Sequence, residues 1–228
     1  ILKLFLSGFS QKNQTYIDID ESLFGDKKKL LLNSEQKVAI RNLQKINFKK
    51  FNTVLLDGVT GSGKTRVYMH KVREVLERGY QCLILVPEII LTTQWVDEIQ
   101  KDFSINISIY HSSINKKKRE QIWLQTNDKK IRLVIGTRSA LFLPFSKLGL
   151  IVIDEEHDSS YKQEEQTIIN ARDFAIVRAK NSNCMVILSS ATPSLESFWN
   201  VKQKKFSTFK LSQRVNNSSL PKVQIIDM

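Results

Sequence analysis

The chain has 228 residues, of which 41% are hydrophobic and 25% are charged. These totals fit one large globular domain or two small ones, and they exclude a membrane span, because no run approaches the ~20 apolar residues that a bilayer requires. The net charge of +12 favours a polyanionic partner such as nucleic acid, although codon bias toward lysine explains the same excess without any binding function.

The first predicted elements lead into a glycine-rich loop. Residues 1–30 show no regular pattern and are expected to form a linker or the remnant of a preceding domain. They lack an initiating Met and a small-residue cleavage site, so we expect a chain that starts within a longer protein rather than a secretory signal. A helix is predicted to begin at Asn33 or Ser34, which are good N-caps. The run Thr53–Asp57 is a predicted strand, and another helix follows from Lys64.

Strand-like and helical runs then alternate. The further predicted strands are Cys82–Val86, Ile105–Ile109, Leu133–Gly136, Leu150–Ile153 and Met185–Leu188, and the further helices are Leu91–Phe103, Lys116–Gln125, Ala171–Lys180 and Ser194–Lys202. The strands are continuously apolar, as in a parallel sheet that is buried on both faces. We therefore predict an α/β domain over residues 31–213, with a parallel β-sheet between layers of helices and a linker over residues 214–228.

The glycine-rich loop has the sequence GVTGSGKT and matches the phosphate-binding pattern G-x-x-x-x-G-K-[ST] at every defined position. Glycines let the backbone N–H groups turn toward phosphates, and the following helix N-terminus adds positive charge. Lys64 is expected to pair with the β- and γ-phosphates of ATP, and the Thr65 hydroxyl to ligate Mg²⁺. The predicted nucleotide contacts in the loop are Gly58, Thr60, Gly61, Ser62, Gly63, Lys64 and Thr65.

A second motif, IVIDEEH over Ile151–His157, is an apolar strand that ends in acids. It emerges at the carboxyl edge of the sheet, where open parallel sheets bind ligands. Asp154 is predicted to hold Mg²⁺, and Glu155 to orient and deprotonate the attacking water. His157 is predicted to sense the γ-phosphate, although a hydrogen-bonded structural histidine is the alternative. With Lys64, these three residues form the predicted catalytic set.

Three further residues are predicted to serve the nucleotide. Ser190 and Thr192, in a Ser-Ala-Thr run at the next strand tip, are expected to bond the DEEH carboxylates and couple the nucleotide state to other segments. An N-cap for the following helix explains that run equally well. The amide of Gln36 is expected to read the adenine edge, with an ordinary surface glutamine as the alternative.

Thr137 and Arg138 follow one predicted strand, and Thr92 lies in the segment that ends another strand and opens a helix. All three are expected to contact DNA. Hydroxyls, guanidinium groups and helix N-termini are the usual groups that position nucleic-acid phosphates.

Five segments in this order, GVTGSGKT, LVPEIILTTQ, VIGTRSALFLPF, VIDEEHDSSYKQEE and SSATPSLES, resemble the primosomal replication-restart DNA helicases, the PriA family. The likeness runs over roughly residues 30–228. It implies the first RecA-like lobe of a superfamily 2 helicase that unwinds DNA 3′-to-5′ at stalled forks, with ATP and Mg²⁺ as cofactors and zinc only in a C-terminal region beyond this chain. It also implies forked or single-stranded DNA, primosome proteins and single-strand-binding protein as partners, and a cytoplasmic, nucleoid-associated protein without a membrane anchor.

The chain departs from that family in two places. The segment QTIINARD, Gln166–Asp173, lacks the aromatic residues expected there, which should weaken the coupling of DNA binding to hydrolysis. Arg66 stands where the family usually has an acid. Because the family's arginine finger belongs to the second lobe, we expect this lobe alone to bind ATP but to hydrolyse it slowly.

Two alternatives remain at this point. One is another superfamily 2 translocase of repair or fork reversal, against which the segments GTRSALFLPF and SSYKQEE argue. The other is a degenerate nucleotide-binding module that does not hydrolyse ATP, against which the intact Lys64, Asp154 and Glu155 argue.

Overall fold

The computed structural model describes residues 32–103, 106–163 and 169–215. Its strands are β1 (Asn52–Gly58), β2 (Gln81–Leu85), β3 (Ser108–Tyr110), β4 (Leu133–Gly136), β5 (Leu148–Asp154), β6 (Lys162–Gln163), β7 (Ile169–Asn170), β8 (Met185–Ser190) and β9 (Ser207–Leu211). Its α-helices are α1 (Ser34–Lys45), α2 (Lys64–Glu77), α3 (Thr93–Phe103), α4 (Lys116–Asn127), α5 (Ala171–Asn181) and α6 (Leu195–Lys202). No helix of this described part is long and apolar enough to cross a membrane.

Seven of the strands form one parallel sheet in the order β3-β4-β2-β5-β8-β1-β9. Strands β5, β8 and β1 are neighbours in this sheet, although long stretches of chain separate them in sequence. All parallel strands point the same way, so the residues that follow them meet at one edge. The predicted α/β fold with a parallel sheet is confirmed.

Two hydrophobic clusters cover the two faces of the sheet, because successive strand residues point to opposite sides. Val54 and Val152 pack with α1 and α2 on one face. Leu55, Ile151 and Ile153 pack with α4 and α5 on the other. The strand residues of β2, β4, β5 and β8 are all buried, which explains their continuously apolar sequences.

Local differences from the predicted elements have local causes. Helix α3 begins two residues later than predicted, because Glu88–Ile90 form a separate 3₁₀ turn and the Thr92 hydroxyl accepts a hydrogen bond from the backbone N–H of Trp95 at 3.3 Å. Strand β3 covers Ser108–Tyr110 rather than the predicted Ile105–Ile109. The antiparallel pair β6–β7 was not predicted. The predicted segment over residues 1–30 lies outside the described residues, as do residues 216–228 of the predicted linker.

Candidate nucleotide-binding site

The predicted motifs meet at the carboxyl edge of the neighbouring strands β5, β8 and β1. Gly58 ends β1, Asp154 ends β5 and Ser190 ends β8. Their registers place Asp154 beside Ser189, and Asp57 beside Ser190. The glycine loop, the DEEH acids and the Ser-Ala-Thr run therefore surround one site.

The glycine loop has backbone conformations and close contacts that only glycine accommodates easily. Gly61 and Gly63 have φ values of +76° and +78°, and a side chain on Gly63 would overlap the Gln36 amide. Among the described residues, the buried hydroxyl of Ser62 has no hydrogen-bond partner. The loop thus combines a free buried donor, open backbone and a helix N-terminus, and this set of donors fits a phosphate group.

Lys64 is held inside this loop. Its side chain is mostly buried, and its Nζ donates to the backbone oxygen of Gly58 at 2.9 Å. The same Nζ lies 3.9 Å from a carboxylate oxygen of Glu155. An ammonium group has three donors, so Lys64 can keep these contacts and still pair with a phosphate.

Gln36 lies against the glycine loop and is only 1% exposed. Its side-chain oxygen accepts from the backbone N–H of Asn33 at 2.9 Å, and its Nε2 donates to the backbone oxygen of Ser62 at 2.7 Å. The amide therefore joins the cap of α1 to the phosphate loop. Adenine recognition by Gln36 stays a prediction.

Asp154 is buried, and three donors hold its carboxylate. Ser189 Oγ donates at 2.7 Å, Tyr68 Oη at 2.9 Å and the backbone N–H of Glu155 at 3.1 Å. The Tyr161 hydroxyl donates to the backbone oxygen of Asp154 at 2.7 Å. Burial raises the pKa of Asp154 despite these donors. A carboxylate fixed in this way is pre-oriented for a cation that Thr65 would share.

Sequence reasoning missed the two tyrosines that orient Asp154. Tyr68 lies four residues after Lys64 on α2, so a helix places both on the same face, and this spacing was the available signal. Tyr161 follows the DEEH motif by a few residues and is only 1% exposed. Its role was not visible in the sequence, since it depends on a 3₁₀ turn that folds the chain back onto β5.

Glu155 is the more accessible acid of the motif. Its side chain is 30% exposed, and its Oε2 lies 3.6 Å from Nδ1 of His157. Its φ of +46° is unusual for a residue with a side chain. Burial raises the pKa of Glu155, and the nearby Lys64 opposes that shift. A carboxylate with a raised pKa and access to solvent is suited to take a proton from water.

Within the Ser-Ala-Thr run, the Ser190 hydroxyl contacts His157, and the backbone N–H of Ala191 donates to the Glu155 carboxylate. Ser190 Oγ lies 2.7 Å from Nδ1 of His157, and it accepts from the backbone N–H of Thr192 at 3.0 Å. The hydroxyls that donate to DEEH carboxylates are instead those of Ser189 and Tyr68 at Asp154, and those of Ser194 and Ser197 at Glu156. The coupling role of Ser190 and Thr192 stays a prediction, and the contact that would carry it is the one between Ser190 and His157.

The predicted DNA contacts lie at the same edge of the sheet, on its β2–β4 side. Thr92 is exposed, whereas Thr137 is buried at 6% exposure. The guanidinium of Arg138 donates to the backbone oxygen of Lys162 at 3.0 Å. A DNA role for the three residues remains a prediction.

Asp154→Asn is expected to stabilise the fold at neutral pH. Because the folded-state pKa of Asp154 is raised, its favourable protonated form is lost as pH rises through that pKa. Asparagine is neutral at every pH and retains the acceptor for Ser189. We expect the free energy of unfolding to rise by about 0.5–2 kcal/mol at pH 7. The gain should shrink as pH falls through the raised pKa of Asp154, and it should vanish below about pH 4, where the carboxyl is neutral in the unfolded chain as well.

Urea unfolding of both proteins from pH 4 to 8 measures this difference. ATP binding by the Asn variant should also lose its dependence on Mg²⁺. A variant that is less stable than wild type at pH 7 would show that the three donors outweigh the burial of the charge.

Comparisons with known proteins identify the family of the chain. Residues 33–200 match the family described as DEAD/DEAH box helicase. The chain is similar to proteins named "Replication restart protein PriA". It is 46% identical to that of Rickettsia prowazekii (strain Madrid E) over 197 residues, 45% to that of Haemophilus influenzae over 204, and 39% to that of Bacillus subtilis (strain 168) over 209. These matches cover 86–91% of this chain but only 26–30% of the relatives' length. The resemblance stated from the sequence is confirmed over the helicase region.

Solved structures share the fold at low sequence identity. The DUF1998 helicase MrfA superposes with a TM-score of 0.56 at 20% identity, over 85% of this chain and 33% of that one. The Hef helicase domain of Pyrococcus furiosus superposes with a TM-score of 0.55 at 19% identity, over 80% of this chain and 38% of that one. At such identity the likeness shows the RecA-like helicase fold alone.

Proposed function

This chain belongs to the DEAD/DEAH box helicase family, and we propose that it is the ATP-binding lobe of a 3′-to-5′ DNA helicase that acts in replication restart. One observation carries the proposal: Lys64 in the glycine loop and Glu155 at the tip of β5 face each other across 3.9 Å. A cation that can bind phosphate and a carboxylate that can act as general base thus lie close together at the edge of the sheet. The identity of 39–46% with proteins named for replication restart supports the choice of process.

The residues at this edge have separate tasks in the proposed hydrolysis. The loop N–H groups and Lys64 bind the phosphates and neutralise charge on the γ-phosphoryl group. Glu155 orients a water molecule and accepts its proton at the carboxylate, for which its raised pKa suits it. Mg²⁺, which Thr65 and Asp154 would hold, supplies additional positive charge to the phosphoryl oxygens. His157 lies between Glu155 and Ser190 and connects the two residues.

The proposed substrate of the motor is forked or single-stranded DNA. The basic charge of the chain favours a polyanion, and Thr92, Thr137 and Arg138 lie at the same edge as the nucleotide site. Primosome proteins and single-strand-binding protein are proposed partners, by similarity to the PriA relatives. We propose that the lobe alone turns over ATP slowly, because the arginine finger, which the family carries on its second lobe, typically contributes ~10³–10⁵ in rate.

Arg138→Ala is the direct test of the DNA contact. If Arg138 binds a phosphate, the variant should bind a fluorescent forked DNA more weakly, and the slope of log K against log salt should fall by about one. The matched control is Arg41→Ala, which removes an exposed arginine from α1. Equal salt slopes for Arg138→Ala and wild type would exclude a DNA phosphate contact at this residue.

A further inference from the structure

Glu156, the third acid of the DEEH motif, is the most completely bonded carboxylate near the site. Its side chain is fully buried. It accepts from Arg172 Nη1 at 3.2 Å, from the backbone N–H of Ser194 at 2.7 Å, and from the hydroxyls of Ser194 and Ser197 at 3.1 Å each. Four charge-assisted hydrogen bonds hold the Glu156 side chain firmly in one position.

These bonds join three elements at one point. Arg172 belongs to the first turn of α5, and Ser194 is the N-cap of α6. The backbone N–H of Glu156 also donates to the oxygen of Ser189 in β8 at 3.1 Å. The residue before it, Glu155, has its strained φ of +46°. Such a conformation persists only when the surrounding contacts determine it. The backbone of Glu155 bonds to Asp154 and Asp158, and the bonds of Glu156 fix the next residue along the chain.

A continuous path of contacts leads from Glu156 to a predicted DNA contact. Arg138 donates to the backbone oxygen of Lys162 in β6 at 3.0 Å. Lys162 is paired with Asn170 in β7. The side chain of Asn170 accepts from the backbone N–H of Arg172 at 3.0 Å. Arg172 then reaches Glu156, so each step from the DNA side to the strand tip is a direct contact.

We propose that Glu156 and Arg172 are a positioning pair: they hold the backbone that carries Glu155 and tie it, through the β6–β7 pair, to Arg138, so that DNA at Arg138 changes the rate of hydrolysis. This inference rests on the proposed function. Neither residue reaches the reacting atoms, and both act through Glu155. The pair is the buried contact that couples Arg138, at one end of the path, to Glu155, at the other.

Glu156→Gln tests the pair because it keeps the shape of the side chain and removes its charge. Hydrolysis is measured under single-turnover conditions, with the chain in excess over ATP, with and without single-stranded DNA. We expect a rate constant lower by about tenfold and loss of the increase caused by DNA. The dissociation constant for ATP should stay within about twofold of wild type, since Glu156 lies outside the phosphate loop. The matched control is Glu196→Gln, which neutralises an exposed acid 3.7 Å from the same Arg172.

A double variant separates positioning from stability. Removing Arg172 leaves the buried Glu156 charge without its cation, and removing Glu156 leaves Arg172 with its ion pairs to Asp173 and Glu196 alone. Removing both relieves these penalties. Glu156→Gln combined with Arg172→Met should therefore recover much of the melting temperature that either single variant loses. If the pair positions Glu155, the double variant stays as slow as Glu156→Gln and remains insensitive to DNA.

The following outcomes would overturn the positioning role or the proposed function. A wild-type rate in Glu156→Gln, or a double variant that recovers rate and stability together, overturns the positioning role while leaving the proposed function intact. A wild-type chain whose turnover does not exceed that of Lys64→Ala overturns the proposed function and this inference with it.

Discussion

Replacing Glu155 with glutamine is expected to slow ATP hydrolysis by about 10²–10⁴-fold while ATP binding is retained. Glutamine has nearly the same shape and can keep the contact with the Lys64 side chain, but it cannot accept a proton from water. The location of Glu155 supports a large effect: its carboxylate is partly exposed beside the phosphate loop, whereas its neighbours Asp154 and Glu156 are buried and fully bonded. No other acid of the motif is free to replace it.

The measurement is the single-turnover rate constant, together with the equilibrium dissociation constant for ATP. Glu77→Gln is the matched control, since this exposed acid ends α2, the helix whose first residue is Lys64. About 20 Å of helix separates it from the site. A Glu155→Gln variant that hydrolyses ATP at the wild-type rate would remove Glu155 from the role of general base.

Lys64→Ala is expected to weaken ATP binding by about 30-fold or more. Losing one member of a buried, charge-assisted contact typically costs ~2–5 kcal/mol. Lys64 is buried to 7% exposure, so its charge is little screened by solvent. The alanine variant also loses the contact that holds Lys64 Nζ to the backbone oxygen of Gly58. Titration of a fluorescent ATP analogue in the presence of Mg²⁺ measures the difference.

The control for this substitution is Lys116→Ala, which removes an exposed lysine from the start of α4 and changes the net charge equally. If the two alanine variants bind ATP alike, the glycine loop does not bind phosphates through Lys64. A general loss of affinity through reduced net charge would appear in both.

The local patterns of the sequence were enough to predict the sheet and the motifs. Apolar runs such as Leu133–Gly136 coincide with the observed strand β4. The capping box at Asn33 and Gln36 fixes the start of α1 where the sequence placed it. Each of these features depends on residues that are close in the chain, so a local pattern is sufficient to reveal them.

What the sequence did not reveal depends on distant residues. Tyr68 and Asp154 are 86 positions apart, and their hydrogen bond exists only because α2 packs across the sheet onto the tip of β5. Arg172 and Glu156 likewise meet because α5 returns to the carboxyl edge. The sequence therefore identified the residues proposed to touch ATP but not the residues that hold them in place.

The pair β6–β7 was missed for a different reason. Each strand has two residues, and neither carries an alternating or apolar pattern of useful length. Its position becomes visible only through the pairing of Lys162 with Asn170.

The most direct test of the proposed motor lobe is ATP turnover by the purified chain, with and without forked DNA, alongside Lys64→Ala. We expect slow turnover that clearly exceeds the Lys64→Ala baseline and rises when forked DNA is added. Turnover that is indistinguishable from Lys64→Ala under both conditions would contradict it.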